Sequence, residues 1–351
     1  MFRIFSTLNG KALINAAVAT VLLIVLVYVG SRDLQNFDAA LIAYLFGSIF
    51  ALFGVVYRYS VWLQRPPTRL YWRRTWKFVF SKRFFPYLGF VISQFFKNIL
   101  FQRFIYPRGK TRWWGHFLLA TGCMLAFMVT FPLTFGWIHF TLAPGTLDTY
   151  EAHVFGFKVA AFELGGLVAF NAFHILNWCS LFVIIGAIMM MRRRLTNGGL
   201  IATQSFQDDW LPLVLLLAIS VTGLGLTFDY SFMQGKTFEF MSVTHAITVI
   251  LFLIWIPFGK FFHIFQRPAQ LGTNVYRREG ARLGMAICPH TKEAFATQLH
   301  VDDLKKVTKE LDFNFDLPDG GSHLDYSPEG KRAALAKAQF AAREQQGQFF
   351  G

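Results

Sequence analysis

Six predominantly apolar runs, each long enough to approach the roughly 20 residues a helix needs to cross a bilayer, constrain this chain more than any other feature of it. They are Ala12–Val29, Ala39–Val56, Trp113–Ile138, Val159–Met191, Trp210–Phe228 and Phe240–Phe258, the last continuing toward His263. They predict an all-α integral membrane protein with about six transmembrane helices. Only 15% of the 351 residues are charged, against about 25% in a typical soluble domain, and the mean hydropathy is +0.40. The three cysteines, Cys123, Cys179 and Cys288, show no CxxC spacing. They exclude an iron–sulfur cluster or zinc ribbon made by this chain alone; Cys123 and Cys179 read as packing residues and Cys288 as an inert thiol.

The net charge of +14 is unevenly placed. From Pro268 onward eleven basic residues balance eleven acidic ones, whereas thirteen Lys and Arg fall between Arg58 and Arg112 among apolar stretches. That pattern suits cytoplasmic segments on an anionic lipid surface and not a nucleic-acid groove. The segments Gly30–Asp38, Thr141–Lys158 and Asp229–Glu239 hold one Lys or Arg each, while the alternate ones hold Arg58 to Arg112, Arg192-Arg193-Arg194, Lys260 and Arg267. The bias predicts a multi-pass protein of a prokaryotic cytoplasmic membrane with both termini in the cytoplasm. Arg3 and Lys11 precede the first run, but no A-x-A site follows it, so residues 1–38 read as a retained anchor. Residues 39–267 then form the main membrane domain. Within it the basic stretch 59–111 reads as interfacial helix interrupted near Pro86; a seventh, short span is the alternative. Residues 268–351 read as a soluble cytoplasmic tail with a helical piece at Val301–Leu311, a turn around Pro318-Asp319-Gly320-Gly321 and a helix from Pro328. Too poor in apolar residues for a core of its own, the tail is expected to wrap a partner.

Ionisable side chains in spans mark function, and four histidines do so here. His245 and His263 are 18 residues apart on the sixth run, which on one continuous helix is five turns, one face and about 27 Å. Two imidazoles at opposite depths suit two haems, one per leaflet. Each six-coordinate haem b needs a second ligand at equal depth. His116 begins the third run as His263 ends the sixth, giving an inner pair; His174 matches His245 as an outer pair. Met124 and Met128 are further conceivable ligands, but thioethers in an apolar span ordinarily pack. His139 and His153 fall outside the hydrocarbon, where either could move protons.

Trp114-Gly-His-Phe, His245-x17-His263 continuing as Phe-His-Ile-Phe-Gln-Arg-Pro, the basic turn Met190-Met-Arg-Arg-Arg-Leu with Thr203 and Asp208-Asp209, and the run Tyr44–Tyr59 resemble the gamma subunit of respiratory nitrate reductases, a dihaem cytochrome b family. The resemblance covers about residues 39–280. It departs where the family has a second histidine ten residues after the first: Ala126 stands there, so the chain looks like a divergent member, its outer haem either absent or ligated by His174. The resemblance implies a haem-binding helix bundle with b haems, and a quinol site near the outer haem. It further implies cytoplasmic iron–sulfur and catalytic partner subunits, a molybdenum enzyme being one such partner. It places Lys158 where the family carries a quinone-binding lysine, with Glu163 or Glu151 as proton acceptor. The same cytochrome could serve a disulfide- or sulfur-reducing complex or one that reduces quinone. The reading from a different class is a haem-free anchor or transporter.

Overall fold

The computed structural model describes residues 9–317 and 320–345; Arg3 and the turn residues Pro318 and Asp319 lie outside them. In chain order come α1 (Gly10–Gly30), α2 (Ile42–Gln64), α3 (Pro66–Val79), α4 (Phe84–Gln94) and α5 (Lys110–Thr134). Three strands follow, β1 (Ile138–Leu142), β2 (Thr149–Val154) and β3 (Phe157–Glu163), and then α6 (Leu167–Thr196), α7 (Gly198–Thr203), α8 (Leu211–Phe232) and α9 (Phe238–Trp255). The chain continues through α10 (His263–Gln266), α11 (Ala269–Leu283), a β4 (Met285–Ile287) and β5 (Ala294–Thr297) hairpin, α12 (Gln298–Glu310) and α13 (Pro328–Gln345). The fold is mostly helical, 73%. Among the described residues six helices, α1, α2, α5, α6, α8 and α9, are long and apolar enough to cross a membrane. The chain is a multi-pass membrane protein.

Two spans differ from their apolar runs. The third stops at Thr134 and not at Ile138. Gly136 takes a left-handed φ of +69°, where an added Cβ would lie 2.2 Å from Asn36 O; only glycine fits that turn. The fourth starts at Leu167 and not at Val159, because residues 157–163 pair as a strand. The three strands form one antiparallel sheet in the order β1-β2-β3, with β2 and β3 joined by the tight turn Phe155-Gly156, both at positive φ. A short apolar run cannot be told from a buried helical segment by periodicity alone.

The chain divides into two compact units, Met1–Val61 with Phe96–Gln266, and Trp62–Phe95 with Arg267–Gly351. In the first unit α5 packs along α6, α6 along α8, and α8 along α9. The α5–α6 contact is made by glycines: Cβ atoms added at Gly122 and Gly186 would come within 2.7 Å of Cys179 O and 2.6 Å of Leu119 N. Small residues let backbones approach in this way, which is the main packing device between spans in lipid. An apolar core joins Val55, Val183, Leu215, Leu216, Ile256, Phe261 and Phe262, with Leu119 and Cys123 against it.

The sixth span does not continue to His263. It ends at Trp255, and the chain turns through Pro257 and Gly259 into a 3₁₀ turn, Lys260–Phe262, before α10. Pro257 lacks an N–H and cannot carry the helical ladder onward. Arg58 Nη1 donates to Pro257 O at 2.6 Å and to Phe258 O at 2.9 Å, satisfying carbonyls that the break exposes. Its guanidinium lies 4.3 Å from the Phe262 ring centroid. Gly54 makes room: a Cβ there would meet Pro257 at 2.7 Å. Arg58→Met is therefore expected to lower stability by about 2 kcal/mol, the worth of charged-donor hydrogen bonds to a part-buried and an exposed carbonyl. Thermal unfolding of the detergent-purified chain reads this, and an unchanged midpoint would remove Arg58 as the clamp.

In the second unit the tail does have a core, because residues 62–95 help to build it. Val275, Tyr276, Ala286, Val301, Val307 and Leu324 are buried. So is Cys288, whose sulfur accepts from Thr291 N at 3.5 Å. The Tyr71 ring meets Tyr276 edge-on at 4.7 Å, and Arg278 stacks over Phe90. Two cations of the basic stretch find carboxylates here. Arg74 makes a bidentate pair with buried Asp303, which also accepts from Tyr276, and Arg69 pairs with Glu310. Pro86 interrupts nothing, since it lies in the first turn of α4, where its missing N–H has no intrahelical partner; the break lies ahead of it, at residues 80–83.

Buried Glu279 accepts from Arg282 and from the Tyr87 hydroxyl. The Arg282 hydrogen bonds and then the Tyr87 one outweigh burial and hold its carboxyl below the ordinary 4.5. A carboxylate depressed in the folded state stabilises above its unfolded value and loses that contribution as pH falls through the folded one. The second unit is thus expected to weaken as pH drops below about 4.5, and Glu279→Gln to flatten that dependence. Limited proteolysis of the α11 region against pH measures it; a Glu279→Gln profile parallel to wild type would refute the link.

Candidate functional site

The four histidines share one local feature: each ring has Nδ1 against an oxygen. His116, in the first turns of α5, points Nδ1 at Gln102 Oε1, 2.6 Å away. His174 Nδ1 meets Phe170 O of its own helix at 2.7 Å, the ring stacked on Phe170. His263 Nδ1 meets Lys260 O at 2.6 Å. His245 Nδ1 meets Thr222 Oγ1 on α8 at 2.9 Å. That hydroxyl also donates to Ala218 O at 2.7 Å, and Thr248 donates to His245 O. Carbonyl and amide oxygens accept only. A hydrogen on Nδ1 satisfies the oxygens beside His116, His174 and His263, and a neutral ring in that form keeps its lone pair on Nε2; the Thr222 hydroxyl is compatible with the same form of His245. That is the tautomer of an iron-ligating histidine whose second nitrogen is anchored by the protein. By donor chemistry, the residues fit haem b.

Gln102 was not legible as a site residue. It is buried, 4% exposed, and holds a left-handed φ of +50° just before Arg103–Arg108. A non-glycine residue kept there is strained, and such strain concentrates at functional sites. His245 is also closely seated, since a Cβ on Gly223 would come within 3.3 Å of its Cε1.

The flanks of the inner pair converge. Leu119, one turn beyond His116, and Phe261 and Phe262, just before His263, meet in the same apolar core. The outer pair is not brought together directly: no hydrogen bond or ring contact links His174 with His245 among the described residues. The one-helix relation between His245 and His263 does not hold, because the helix breaks at Trp255. For the inner pair this shared core, and not helical spacing, is what brings the flanks together.

Lys158 and Glu163 are not in a span. Both lie on β3, and Glu163 is exposed at its end. The sheet gives Lys158 another setting. A β-bulge between Ala152 and His153 shifts the register so that His153 faces Lys158. Without that extra residue Lys158 would turn to the opposite face. On the shared face Lys158 Nζ pairs with Glu151, 2.5 Å away, and His153 Nε2 lies 3.7 Å from the other Glu151 oxygen and 2.9 Å from Thr141 Oγ1. His139 stacks on His153 with centroids 5.0 Å apart. Burial first, then the neighbouring His153 and Arg32, push His139 below the ordinary histidine value. The result is a compact lysine–carboxylate–imidazole array.

No family model, curated protein or solved structure matches the chain.

Proposed function

We propose that the chain is the membrane cytochrome b subunit of a respiratory oxidoreductase complex, a divergent relative of the nitrate reductase gamma subunits. The observation that carries this reading is the oxygen set against Nδ1 of each of His116, His174, His245 and His263, an arrangement that suits Nε2 as the ligating atom. His116 with His263, and His245 with His174, would hold two b haems, which when bound supply one-electron transfer across the membrane. The protein's part is to fix ring orientation through Gln102, Thr222 and the Phe170 and Lys260 carbonyls, and to exclude water with the core around Leu119 and Phe262.

The substrate is a quinol, met near the sheet. Lys158 donates to a quinol oxygen, and the Glu151–His153 pair takes the protons. Glu163, at an exposed strand end, is the weaker acceptor. Electrons would pass to iron–sulfur and catalytic subunits on the cytoplasmic side. A pyridine haemochrome assay with a reduced-minus-oxidised spectrum tests the reading, with co-purifying subunits identified by mass spectrometry. Two b haems per chain support both pairs. One restricts the reading to a single pair, and none returns the chain to the haem-free anchor or transporter.

A further inference from the structure

The end of the first unit at which α5 begins, α6 ends and α8 begins holds a cavity of about 280 Å³. Its walls carry four cations: Arg112 from the first turn of α5, Arg193 and Arg194 from the last turns of α6, and Lys260 from just past α9. A single carboxylate answers them. Asp209 Oδ1 takes both Arg194 Nη2 at 3.1 Å and Lys260 Nζ at 2.7 Å. Arg112 and Arg193 have no acidic partner among the described residues. Like charges gathered this closely repel unless an anion joins them.

The neutral walls are donors as well. Gln204 Oε1 is occupied by Trp210 Nε1–H at 3.1 Å, which leaves its amide nitrogen to donate. Leu200 of α7 adds an apolar wall. The cavity lies where the apolar helices α5, α6 and α8 begin or end, the part of a spanning helix that meets lipid headgroups.

We propose that this cavity is a binding site for a phosphate-bearing anion, supplied by the headgroup of an anionic phospholipid. Arg112 and Arg193 clasp the phosphate oxygens, the guanidinium fork matching that geometry. Asp209 keeps Arg194 and Lys260 in place without neutralising the pocket. The site explains why residues from four segments of the chain converge on one point with a surplus of positive charge, and it does not depend on haem.

The test uses the full chain in nanodiscs of equal phosphatidylglycerol and phosphatidylcholine, released for native mass spectrometry. Phosphatidylglycerol adducts are expected to persist and phosphatidylcholine adducts to be stripped. Arg112→Gln and Arg193→Gln, made singly and together, should each lower phosphatidylglycerol occupancy, the pair by about tenfold. Arg192→Gln, an exposed neighbour in the same helical turn, should leave it unchanged. Raising ionic strength on the wild-type chain gives the same reading without a variant, since a partly open site of this kind is screened by salt. Equal retention of the two lipids, or adducts indifferent to both arginines and to salt, overturns the proposal. If millimolar inorganic phosphate displaces the lipid, with the same dependence on Arg112 and Arg193, the phosphate chemistry stands and its lipid source is overturned.

Discussion

His116→Ala and His263→Ala are each expected to lose the same b haem, and the double variant to lose no more than either alone. If the two rings hold one haem, removing either imidazole would take away half the protein's hold on it, and the remaining ring could not replace it. Two residues acting on one group are non-additive, which is the signature that identifies a pair. His245→Ala and His174→Ala should behave likewise with the second haem. A purely structural role predicts something different. On that reading truncation would cost at least the roughly 1 kcal/mol of the Nδ1 hydrogen bond and leave absorbance unchanged. Haem-to-protein ratios by pyridine haemochrome, read beside thermal midpoints, separate the two. Full haem content in both His116→Ala and His263→Ala proteins would end the inner-pair assignment. Gln102→Leu refines the test: loss of the oxygen that orients His116 should shift that haem's potential while the haem stays bound.

The second large effect is predicted at Gly186. Its absent Cβ would lie 2.6 Å from Leu119 N and 2.7 Å from Gly115 O, both backbone atoms of α5. Backbone cannot step aside as a flexible side chain can. Gly186→Val must push α5 and α6 apart, and that also opens the Gly122 contact with Cys179 and Val183. Overpacking costs about 1–3 kcal/mol where side chains yield; here the expectation is the upper end of that range or beyond, with little monodisperse protein recovered. Size-exclusion profiles and thermal unfolding measure it. Gly89→Ala, at a position with nothing within 4 Å of the added carbon, is the control and should be neutral or slightly stabilising. If Gly186→Val behaved as the control does, the close α5–α6 approach would be wrong.

Composition and periodicity alone determined that this is a helical membrane protein of about six spans, because a run of apolar residues near bilayer length has few other uses. They also singled out the histidines, since an imidazole among phenylalanines stands out by type. What they could not reach was anything set by partners distant in sequence. Val159–Glu163 reads as the start of the fourth span because Val159–Phe162 is as apolar as a span, and Thr141–Lys158 as the loop before it; strand pairing and a bulge decided otherwise, and with them the faces of Lys158 and Glu151. The break before His263 has a local signal in Pro257 and Gly259, but the clamp that satisfies its carbonyls, Arg58, lies some 200 residues away. The tail looked coreless because part of its core comes from residues 62–95. Hydrophobic spacing is a local property that a chain carries in its own order. Register, helix termination and core sharing are settled by backbone groups that must find hydrogen-bond partners and by side chains that must fill space, and both depend on what the fold brings alongside.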